Sequence, residues 1–314
     1  MSSIHAIVVD PEAPGRLAIK EVAAPQAGPS EVLVQVETIS LNRGEVELAM
    51  HADAGWRPGW DLAGTVIKQA AHGTGPKAGS RVFGSVPTGS WAEQVAVPTN
   101  RLAELPTSVT FAQAATIPTA GLTAFRALEK GGLLLNKHVL ITGSTGGVGR
   151  FALQLARLGG AYVVGTIRDA RHEALVREAG ADEVIVEDDL APAQTYGPYH
   201  LILDLVGGKA LESALSLLAT GGTCVLAGAS ASPSATIDVM GLIRTGRATL
   251  YALNMYAEFD SRPRSEDLAW LAQLVAEQKL QTSIEVEASW HDVGEVAQRL
   301  LQRQFTGKAV LHLA

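Results

Sequence analysis

The amino-acid sequence predicts an α/β protein of two domains, one rich in β-strands and one built on a doubly wound parallel sheet. The chain has 314 residues, which exceeds one typical core and favours two domains. Residues 4–105 contain short β-rich runs between Pro and Gly turns, a pattern typical of a barrel-like β domain. From His138 onward, apolar runs alternate with amphipathic helices, which indicates parallel βαβ units.

The connection between these two regions is predicted to be helical. After Pro106, Ser108 can cap a helix from Phe111 to Ala115, and Thr119 can cap a second helix from Gly121 towards Lys130. The first segment is rich in Ala and the second in Ala and Leu, residues that favour helices.

The predicted elements of the parallel sheet are six apolar strands and two helices. The strands are Val139–Thr142, Tyr162–Thr166, Glu183–Val186, Leu201–Leu205, Thr223–Ala227 and Thr249–Leu253, and the helices are Arg150–Leu158 and Ala170–Ala179. After Asn254 we predict helices at Ser265–Gln278 and Val293–Gln302, and strands at Ile284–Ala288 and Ala309–Leu313.

Composition and charge narrow the class of partner. The net charge of −7 offers no basic surface for nucleic acid or an anionic membrane, so a small molecule is the expected partner. The N-terminus lacks the pattern of a secretory signal, and no apolar run is long enough to span a bilayer, so we expect a cytoplasmic protein. The one cysteine, Cys224, lies in an apolar run and is expected to be a buried packing residue.

A glycine-rich turn between the first predicted parallel strand and its helix indicates a dinucleotide site. The segment Val139-Leu-Ile-Thr-Gly-Ser-Thr-Gly-Gly-Val-Gly149 runs from strand to turn to helix. At Gly146 the backbone can approach a pyrophosphate, and at Gly149 the helix can pack closely on the strand. The first glycine of the Gly-x-Gly-x-x-Gly pattern falls on Ser144. The strand that follows, at Tyr162, supplies the context that the pattern requires.

The end of the second parallel strand favours NADP over NAD. An NAD-specific fold places an acidic residue about twenty positions after the turn. Here that position is Ile167 or Arg168, and Arg171 follows one helical turn later. A guanidinium group there can hold a 2′-phosphate with two hydrogen bonds. Alternatively, these arginines form a solvated helix face with Asp169 and Glu173.

Eight segments, in order along the chain, resemble motifs of the medium-chain dehydrogenase/reductase superfamily, in particular its zinc-independent quinone oxidoreductase branch. They are Ser40-Leu-Asn-Arg-Gly-Glu45, Pro58-Gly-Trp-Asp-Leu-Ala-Gly-Thr-Val66, Gly79-Ser-Arg-Val-Phe-Gly84, Gly89-Ser-Trp-Ala-Glu93, Ala114–Leu128 with its Gly121-Leu-Thr-Ala124, Thr142–Gly149, Leu203-Asp-Leu-Val-Gly-Gly208 and Gly307-Lys-Ala-Val-Leu311. The similarity extends over essentially the whole chain.

The resemblance implies a domain organisation and a set of site residues. A GroES-like catalytic domain would comprise residues 1–120 and 259–314, with the Rossmann domain at 121–258 inserted between them. Asn42 and Thr123 would lie beside the nicotinamide as catalytic and cofactor-binding residues. The other cofactor contacts would be Thr145, Gly146, Gly147 and Val148 on the pyrophosphate, Gly165, Thr166, Arg168 and Arg171 towards the adenosine, and Ala227 and Gly228 near the nicotinamide.

The residue types present do not predict a metal site. Zinc members of the superfamily carry Gly-His-Glu where this chain has Gly59-Trp60-Asp61, and no cysteine lies outside the Rossmann region. An acceptor must then be activated by its own conjugation, which indicates NADPH-dependent reduction of a quinone or of an alkene next to a carbonyl.

The proton donor and the substrate are left open by the sequence. Quinone reductases often carry a tyrosine shortly after the position of Asn42, and this chain has none up to Trp60; Glu45, Trp56 and Trp60 are the nearest substitutes, and solvent is another. Trp56, Trp60 and Trp91 can form an aromatic wall or part of the core. Two alternatives to the reductase stand: an NADPH-binding protein with little turnover, and a standalone enoyl-thioester reductase.

The last parallel strand suggests self-association. Thr249–Leu253 is expected to be an edge strand, and an unpaired apolar edge can pair with its copy across a two-fold axis, as in family members. The sequence therefore predicts a homodimer.

Overall fold

The structure is a computed structural model that describes residues 2–186, 190–255, 257–258 and 262–313. The chain divides into two compact units, residues 1–122 with 259–314 and residues 123–258. Residue 259, where the predicted C-terminal part of the catalytic domain begins, lies outside the described residues. No helix in the described ranges is long and apolar enough to cross a membrane.

The secondary structure comprises fifteen strands and nine α-helices within the described residues. The strands are β1 (Ser3–Val9), β2 (Leu17–Ala23), β3 (Glu31–Leu41), β4 (Asp61–Lys68), β5 (Arg81–Ser85), β6 (Gln94–Pro98), β7 (Leu102–Glu104), β8 (His138–Ile141), β9 (Tyr162–Ile167), β10 (Glu183–Val186), β11 (Tyr199–Asp204), β12 (Leu218–Leu226), β13 (Thr249–Ala252), β14 (Ile284–Ser289) and β15 (Lys308–His312). The helices are α1 (Arg43–His51), α2 (Phe111–Ala115), α3 (Leu122–Glu129), α4 (Gly147–Leu158), α5 (Glu173–Glu178), α6 (Gly208–Leu215), α7 (Val239–Thr245), α8 (Ser265–Ala276) and α9 (Val293–Leu301). A π-helix at Ile117–Gly121 precedes α3.

The first unit is built on a largely antiparallel sheet of the order β14-β15-β3-β4-β5-β7, with β6 paired to β3 and a separate β1-β2 hairpin. Strand β3 alternates buried Val32, Val34 and Val36 with half-buried residues, as a strand with one covered face must. Its buried side chains join Leu41 and Trp91 in one apolar core.

The second unit is the doubly wound parallel sheet that the sequence predicts. All five strand pairs are parallel, in the order β10-β9-β8-β11-β12-β13. This order is that of the Rossmann fold, and the chain reverses direction across the sheet between β8 and β11. The predicted fold class is confirmed. Cys224 of β12 is fully buried and free, as expected.

The predicted helix caps at the junction are wrong. Thr110, not Ser108, caps α2: its side chain accepts a hydrogen bond from the Gln113 N–H, and Gln113 completes a capping box. Thr119 caps no helix, because it lies inside the π-helix and its hydroxyl group contacts Asp61 instead. The tertiary contact with Asp61 therefore uses the Thr119 side chain that the local sequence pattern had assigned to a helix cap.

Several element bounds also differ from the prediction. The helix expected at Ala170–Ala179 is a 3₁₀ turn at Ala170–His172 followed by α5. Strand β12 begins five residues before Thr223, through a Gly-Gly segment that the pattern did not include. Three helices, α1, α6 and α7, had no predicted counterpart because each is short and interrupted by glycine or polar residues.

Candidate functional site

The glycine-rich turn lies at the carboxyl end of β8, beside the point where the sheet reverses direction. Gly143 adopts φ +65°, the left-handed conformation that glycine tolerates best. Ser144, at the position of the first glycine in the sequence pattern, is fully buried. Its hydroxyl donates to the Ile141 carbonyl (2.8 Å) and accepts from the Thr166 N–H (3.1 Å). The turn is therefore fastened to the ends of both β8 and β9.

Two glycines allow the turn, the helix and β9 to pack this closely. A Cβ atom on Gly149 would lie 2.5 Å from the Gly143 carbonyl oxygen and 2.8 Å from Ser144 Cα. A Cβ atom on Gly165 would lie 2.9 Å from both Ser144 Oγ and a Val176 methyl group. Gly149 thus has the packing role that the sequence predicts, and Gly165 supports the turn from behind.

The side of the turn at the N-terminus of α4 is open and presents backbone N–H groups. Gly146 is the N-cap residue of α4, it is exposed, and no side chain caps the helix there. A Cβ atom on Gly146 would make only one contact, 3.5 Å from the Gly143 carbonyl oxygen. Thr145, Gly147 and Val148 flank it and are half-buried. Helix α4 has twelve residues, and its N-terminus is uncapped and open to a ligand. It fits a pyrophosphate, because the free N–H groups and the helix dipole favour anions.

The two arginines after β9 have different surroundings. Within the described residues, the exposed Arg168 side chain makes no hydrogen bond or ion pair. Arg171 contacts the Asp169 carboxylate through Nε (2.8 Å) and a second nitrogen (2.6 Å). That contact lowers the pKa of Asp169 to about 2. Arg168 is therefore the guanidinium available to a 2′-phosphate, whereas Arg171 is held by a neighbour, as the solvated-face alternative implies.

A buried aspartate joins the carboxyl ends of β8 and β11. Asp204 accepts hydrogen bonds from the Thr142 hydroxyl (2.7 Å) and the Gly207 N–H (2.8 Å). Burial raises its pKa. Ala227 and Gly228 follow β12 at the same edge, where a Cβ atom on Gly228 would lie 2.8 Å from the Leu205 carbonyl oxygen. Asp204 was not predicted as a site residue, although it belongs to one of the family-like segments.

The first unit contains a largely buried cluster of charged and polar side chains, which we call the carboxyl cluster: Asn42, Glu45, Asp61, Thr119 and Lys308. Glu45 and Asp61 are 0% exposed and Lys308 is 3% exposed. The cluster draws on β15, on α1 and its N-cap residue, on the start of β4 and on the π-helix.

Asn42 lies at the centre of the carboxyl cluster. Its side-chain nitrogen donates to Glu45 Oε1 (2.9 Å) and to Asp61 Oδ2 (2.8 Å). Its side-chain oxygen accepts from Lys308 Nζ (2.6 Å). Both amide hydrogens are therefore used within the cluster, and this geometry favours a positioning role for Asn42. Its contact with nicotinamide stays a prediction.

Each carboxyl group also has partners of its own, besides the Asn42 side-chain amide that both share. Glu45 accepts from the Asn42 backbone N–H (2.7 Å) and from the Trp60 N–H (2.5 Å). Asp61 accepts from the Thr119 hydroxyl at 2.6 Å. Lys308 Nζ also donates to the Leu41 carbonyl (2.9 Å) and lies 4.0 Å from Asp61 Oδ2.

Burial controls the protonation of the cluster. It raises the pKa of Glu45 to about 8, and the nearby Asp61 charge adds to the effect. Burial likewise raises the pKa of Asp61 and lowers that of Lys308, since removal from water disfavours every charged form. The sequence did not predict that these groups form a cluster, although Asp61 and Lys308 each lie in one of the family-like segments.

The tryptophans divide between core and surface. Trp91 is fully buried, which assigns it to the core. Trp56 packs partly buried against the same core. Trp60 is half-buried over Gly44, where a Cβ atom would lie 2.9 Å from its ring. Thr123 is buried in the first turn of α3, and its predicted role beside the nicotinamide stays a prediction.

Two family models match the chain in the order of its domains. Residues 28–107 match the alcohol dehydrogenase GroES-like domain, and residues 147–277 match the zinc-binding dehydrogenase model. The first match lies within the first unit and confirms its GroES-like architecture.

Known proteins of three kinds are similar to the chain. A chloroplastic quinone-oxidoreductase QR1 of Triphysaria versicolor is 36% identical over 52% of this chain and 55% of its own length. A 2-methylene-furan-3-one reductase of Solanum lycopersicum is 30% identical over 68% of this chain and 58% of its own length. The chain thus spans little more than half of each of these relatives. A mycobacterial protein solved in complex with NADPH has a TM-score of 0.87 and 26% identity, and the match covers 98% of this chain and 99% of that one.

Proposed function

Because the chain belongs to the medium-chain dehydrogenase/reductase superfamily, in its quinone oxidoreductase branch, we propose that it is an NADPH-dependent reductase of quinones or carbonyl-conjugated alkenes. Bound NADPH would supply a hydride ion to the electrophilic carbon of the substrate. The relatives named for a quinone and for a furanone support this class of acceptor.

The observation that carries the proposal is the glycine-rich turn, which leaves open space in front of the N-terminus of α4. Gly146 leaves room for a phosphate at an uncapped helix N-terminus, and Gly149 and Gly165 hold the turn against the sheet. The exposed Arg168 supplies a cation where a 2′-phosphate distinguishes NADPH from NADH. Thr145, Gly147 and Val148 complete the phosphate site, Thr166 lies on the adenosine side, and Ala227 and Gly228 lie on the nicotinamide side.

The donor groups available favour a reaction without zinc. Among the described residues, no group of three or more His, Cys, Asp or Glu side chains is arranged to hold a metal ion. The two carboxyl groups of the carboxyl cluster already share a lysine ammonium, and neither a thiol nor an imidazole is in their hydrogen-bond network. These residues do not fit the usual zinc site, so the acceptor is activated by its own conjugation.

Turnover with a panel of acceptors tests the proposed function. Purified protein is mixed with NADPH and with a series of quinones, enones and enoyl thioesters, and the loss of NADPH absorbance is followed. We expect turnover with quinones or enones. NADPH binding without turnover of any acceptor would instead establish a binding protein, and a preference for enoyl thioesters would establish an enoyl reductase.

Arg168→Ala is expected to weaken NADPH binding by about 10- to 100-fold, because a charge-assisted hydrogen bond to the 2′-phosphate is lost. NADH lacks this phosphate, and its affinity should change little. The measurement is cofactor titration by calorimetry or fluorescence. Arg157→Ala is the matched control, since Arg157 lies at the far end of α4 and pairs with Asp182. An equal loss for both cofactors contradicts the assignment of Arg168.

A homodimer is the assembly that we propose, formed through β13. This strand is at the edge of the sheet, paired only with β12 among the described strands. Helix α7, which precedes β13 in the chain, exposes Val239, Met240 and Ile243 by 64, 57 and 64%, and β13 exposes Leu250 by 41%. Exposed apolar side chains along an open edge favour pairing with a second copy.

Ile243→Glu is expected to convert the dimer to a monomer, because it places a charge in the apolar interface. Molar mass measured by light scattering after gel filtration gives the result. Leu133→Glu is the control, because Leu133 is also exposed (77%) but lies in the turn after α3. A wild-type protein of monomer mass would contradict the proposed dimer.

A further inference from the structure

The carboxyl cluster holds more acidic groups than basic ones. Glu45 and Asp61 are both fully buried, and the one ammonium group in contact with them within the described residues is that of Lys308. The Arg264 guanidinium donates to the hydroxyl group of Ser85, the residue opposite Asp61 on β5. Two buried carboxylates near one ammonium are costly, so the pair retains a proton at neutral pH.

Burial favours a proton on either carboxyl group, and the hydrogen bonds indicate which of the two holds it. Among the described residues, Glu45 accepts hydrogen bonds from three N–H groups, which donate and cannot accept: the backbone N–H groups of Asn42 and Trp60 and the side-chain amide of Asn42. Asp61 Oδ2 faces the Asn42 amide, another donor. Asp61 Oδ1 faces the hydroxyl group of Thr119, which can donate or accept. The proton therefore fits between Asp61 Oδ1 and Thr119 Oγ1.

Thr119 is the less buried partner in this contact. Asp61 is fully buried, whereas Thr119 is half-buried. Thr119 lies in the middle of the π-helix at Ile117–Gly121, a type of segment frequent at functional sites. When Asp61 holds the proton, its O–H donates to Thr119 Oγ1 and leaves the threonine hydrogen free for another acceptor.

We propose that Thr119 donates the proton that completes substrate reduction, and that Asp61 replaces it through their direct hydrogen bond. This role rests on the proposed reductase function. Thr119 is then the catalytic residue, and Asn42, Glu45 and Lys308 are positioning residues that fix Asp61 and set its charge.

The step balances for a carbonyl-conjugated alkene. The β-carbon receives a hydride ion from NADPH, which is oxidised to NADP⁺, and the alkene electron pair moves towards the carbonyl to give an enolate. The α-carbon of the enolate then forms a bond to the Thr119 hydroxyl hydrogen. The Asp61 proton passes to Thr119 Oγ1 in the same step, and the Asp61 carboxylate later regains a proton from solvent by way of the Thr119 hydroxyl group.

Kinetics of threonine variants test the relay with an enone that the wild-type protein reduces. Thr119→Val keeps the shape but removes the hydroxyl, and we expect kcat to fall by about 100-fold or more, as for loss of a general acid. Wild-type kcat should fall as pH rises and the pair loses its proton, and the residual rate of Thr119→Val should lack this dependence. Thr119→Ser should restore both the rate and the pH profile.

The matched control is Thr116→Val. Thr116 lies three residues earlier, and its hydroxyl donates to the Gln113 carbonyl (2.8 Å) rather than to the cluster. Its kcat should equal that of the wild type. If Thr119→Val keeps the wild-type rate and pH profile, the relay is wrong while the reductase function stands. If wild-type protein turns over no acceptor, the proposed function itself fails.

Stereochemistry gives a second readout. With an α-substituted enone in D₂O, wild-type protein should deliver deuterium to one face of the α-carbon. The product of Thr119→Val should be a mixture of both α-configurations, because solvent protonates the enolate from either side. Retention of a single configuration by Thr119→Val would overturn the proposal.

Infrared spectroscopy locates the proton in the protein without cofactor or substrate. We expect the C=O stretching band of a protonated carboxyl group, shifted in D₂O, in wild-type protein and in the control Asp53→Asn, since Asp53 is exposed. The band should be absent from Asp61→Asn. A band that survives Asp61→Asn and disappears in Glu45→Gln would place the proton on the other carboxyl group and overturn the relay.

Discussion

Lys308→Met is expected to lower the free energy of unfolding of the first unit by about 3–5 kcal/mol, because it leaves two fully buried carboxyl groups without their cation. The ammonium group also donates to the Leu41 carbonyl and the Asn42 side-chain oxygen, and methionine can replace neither hydrogen bond. Denaturant unfolding followed by circular dichroism measures the loss.

The control for this substitution is Lys279→Met. Lys279 is exposed by 58% and pairs with Glu277 at the surface, so its loss should change the unfolding free energy by less than about 1 kcal/mol. The double variant Lys308→Met/Glu45→Gln also removes the carboxylate that keeps its charge, and it should be more stable than the sum of the single effects. If Lys308→Met is as stable as the wild type, the Lys308 ammonium group does not stabilise the carboxyl cluster.

Gly149→Ala is expected to destabilise the second unit by about 1–3 kcal/mol and to abolish detectable NADPH binding, because its Cβ atom would meet rigid backbone. The nearest atoms are the Gly143 carbonyl oxygen at 2.5 Å and Ser144 Cα at 2.8 Å, and neither belongs to a flexible side chain. Thermal unfolding and cofactor titration give the two measurements.

Gly146→Ala separates binding from folding. Gly146 has φ −78°, which alanine adopts readily, and a Cβ atom there would make one ordinary contact of 3.5 Å. We therefore expect a stability within about 0.5 kcal/mol of the wild type. NADPH binding should still weaken, since the added methyl group enters the space before the helix N-terminus. Unchanged NADPH affinity would argue against a pyrophosphate at this position.

The parallel sheet was predictable because its strands are buried on both faces. Val139–Thr142 and Tyr162–Thr166 read as continuous apolar runs, and the observed β8 and β9 end within one residue of them. Edges of elements were predicted less well, since short-range propensity does not fix where a strand such as β12 begins. The family resemblance and the fold class are confirmed.

The candidate site was predictable only where it is local in sequence. The turn at Thr142–Gly149 is a contiguous segment, and its glycine spacing reflects local backbone chemistry. The carboxyl cluster is not local: Asn42 and Lys308, which share a hydrogen bond, are 266 positions apart. Periodicity carries no information about such a pair, so Asp61, Thr119 and Lys308 could be recognised as one group only from the fold.

Ser144 shows how a deviation from a consensus pattern can strengthen a binding loop. Glycine in its place would bring the sequence closer to the standard fingerprint, yet it would remove a hydroxyl that donates to the Ile141 carbonyl and accepts from the Thr166 N–H. The loop would then lose one of its two hydrogen bonds to β9, the strand that ends beside Arg168, and keep only the backbone bond from the residue 144 N–H to the Thr166 carbonyl (3.1 Å). An engineer who seeks tighter or altered cofactor specificity in this protein should therefore keep the serine and vary the residues around it.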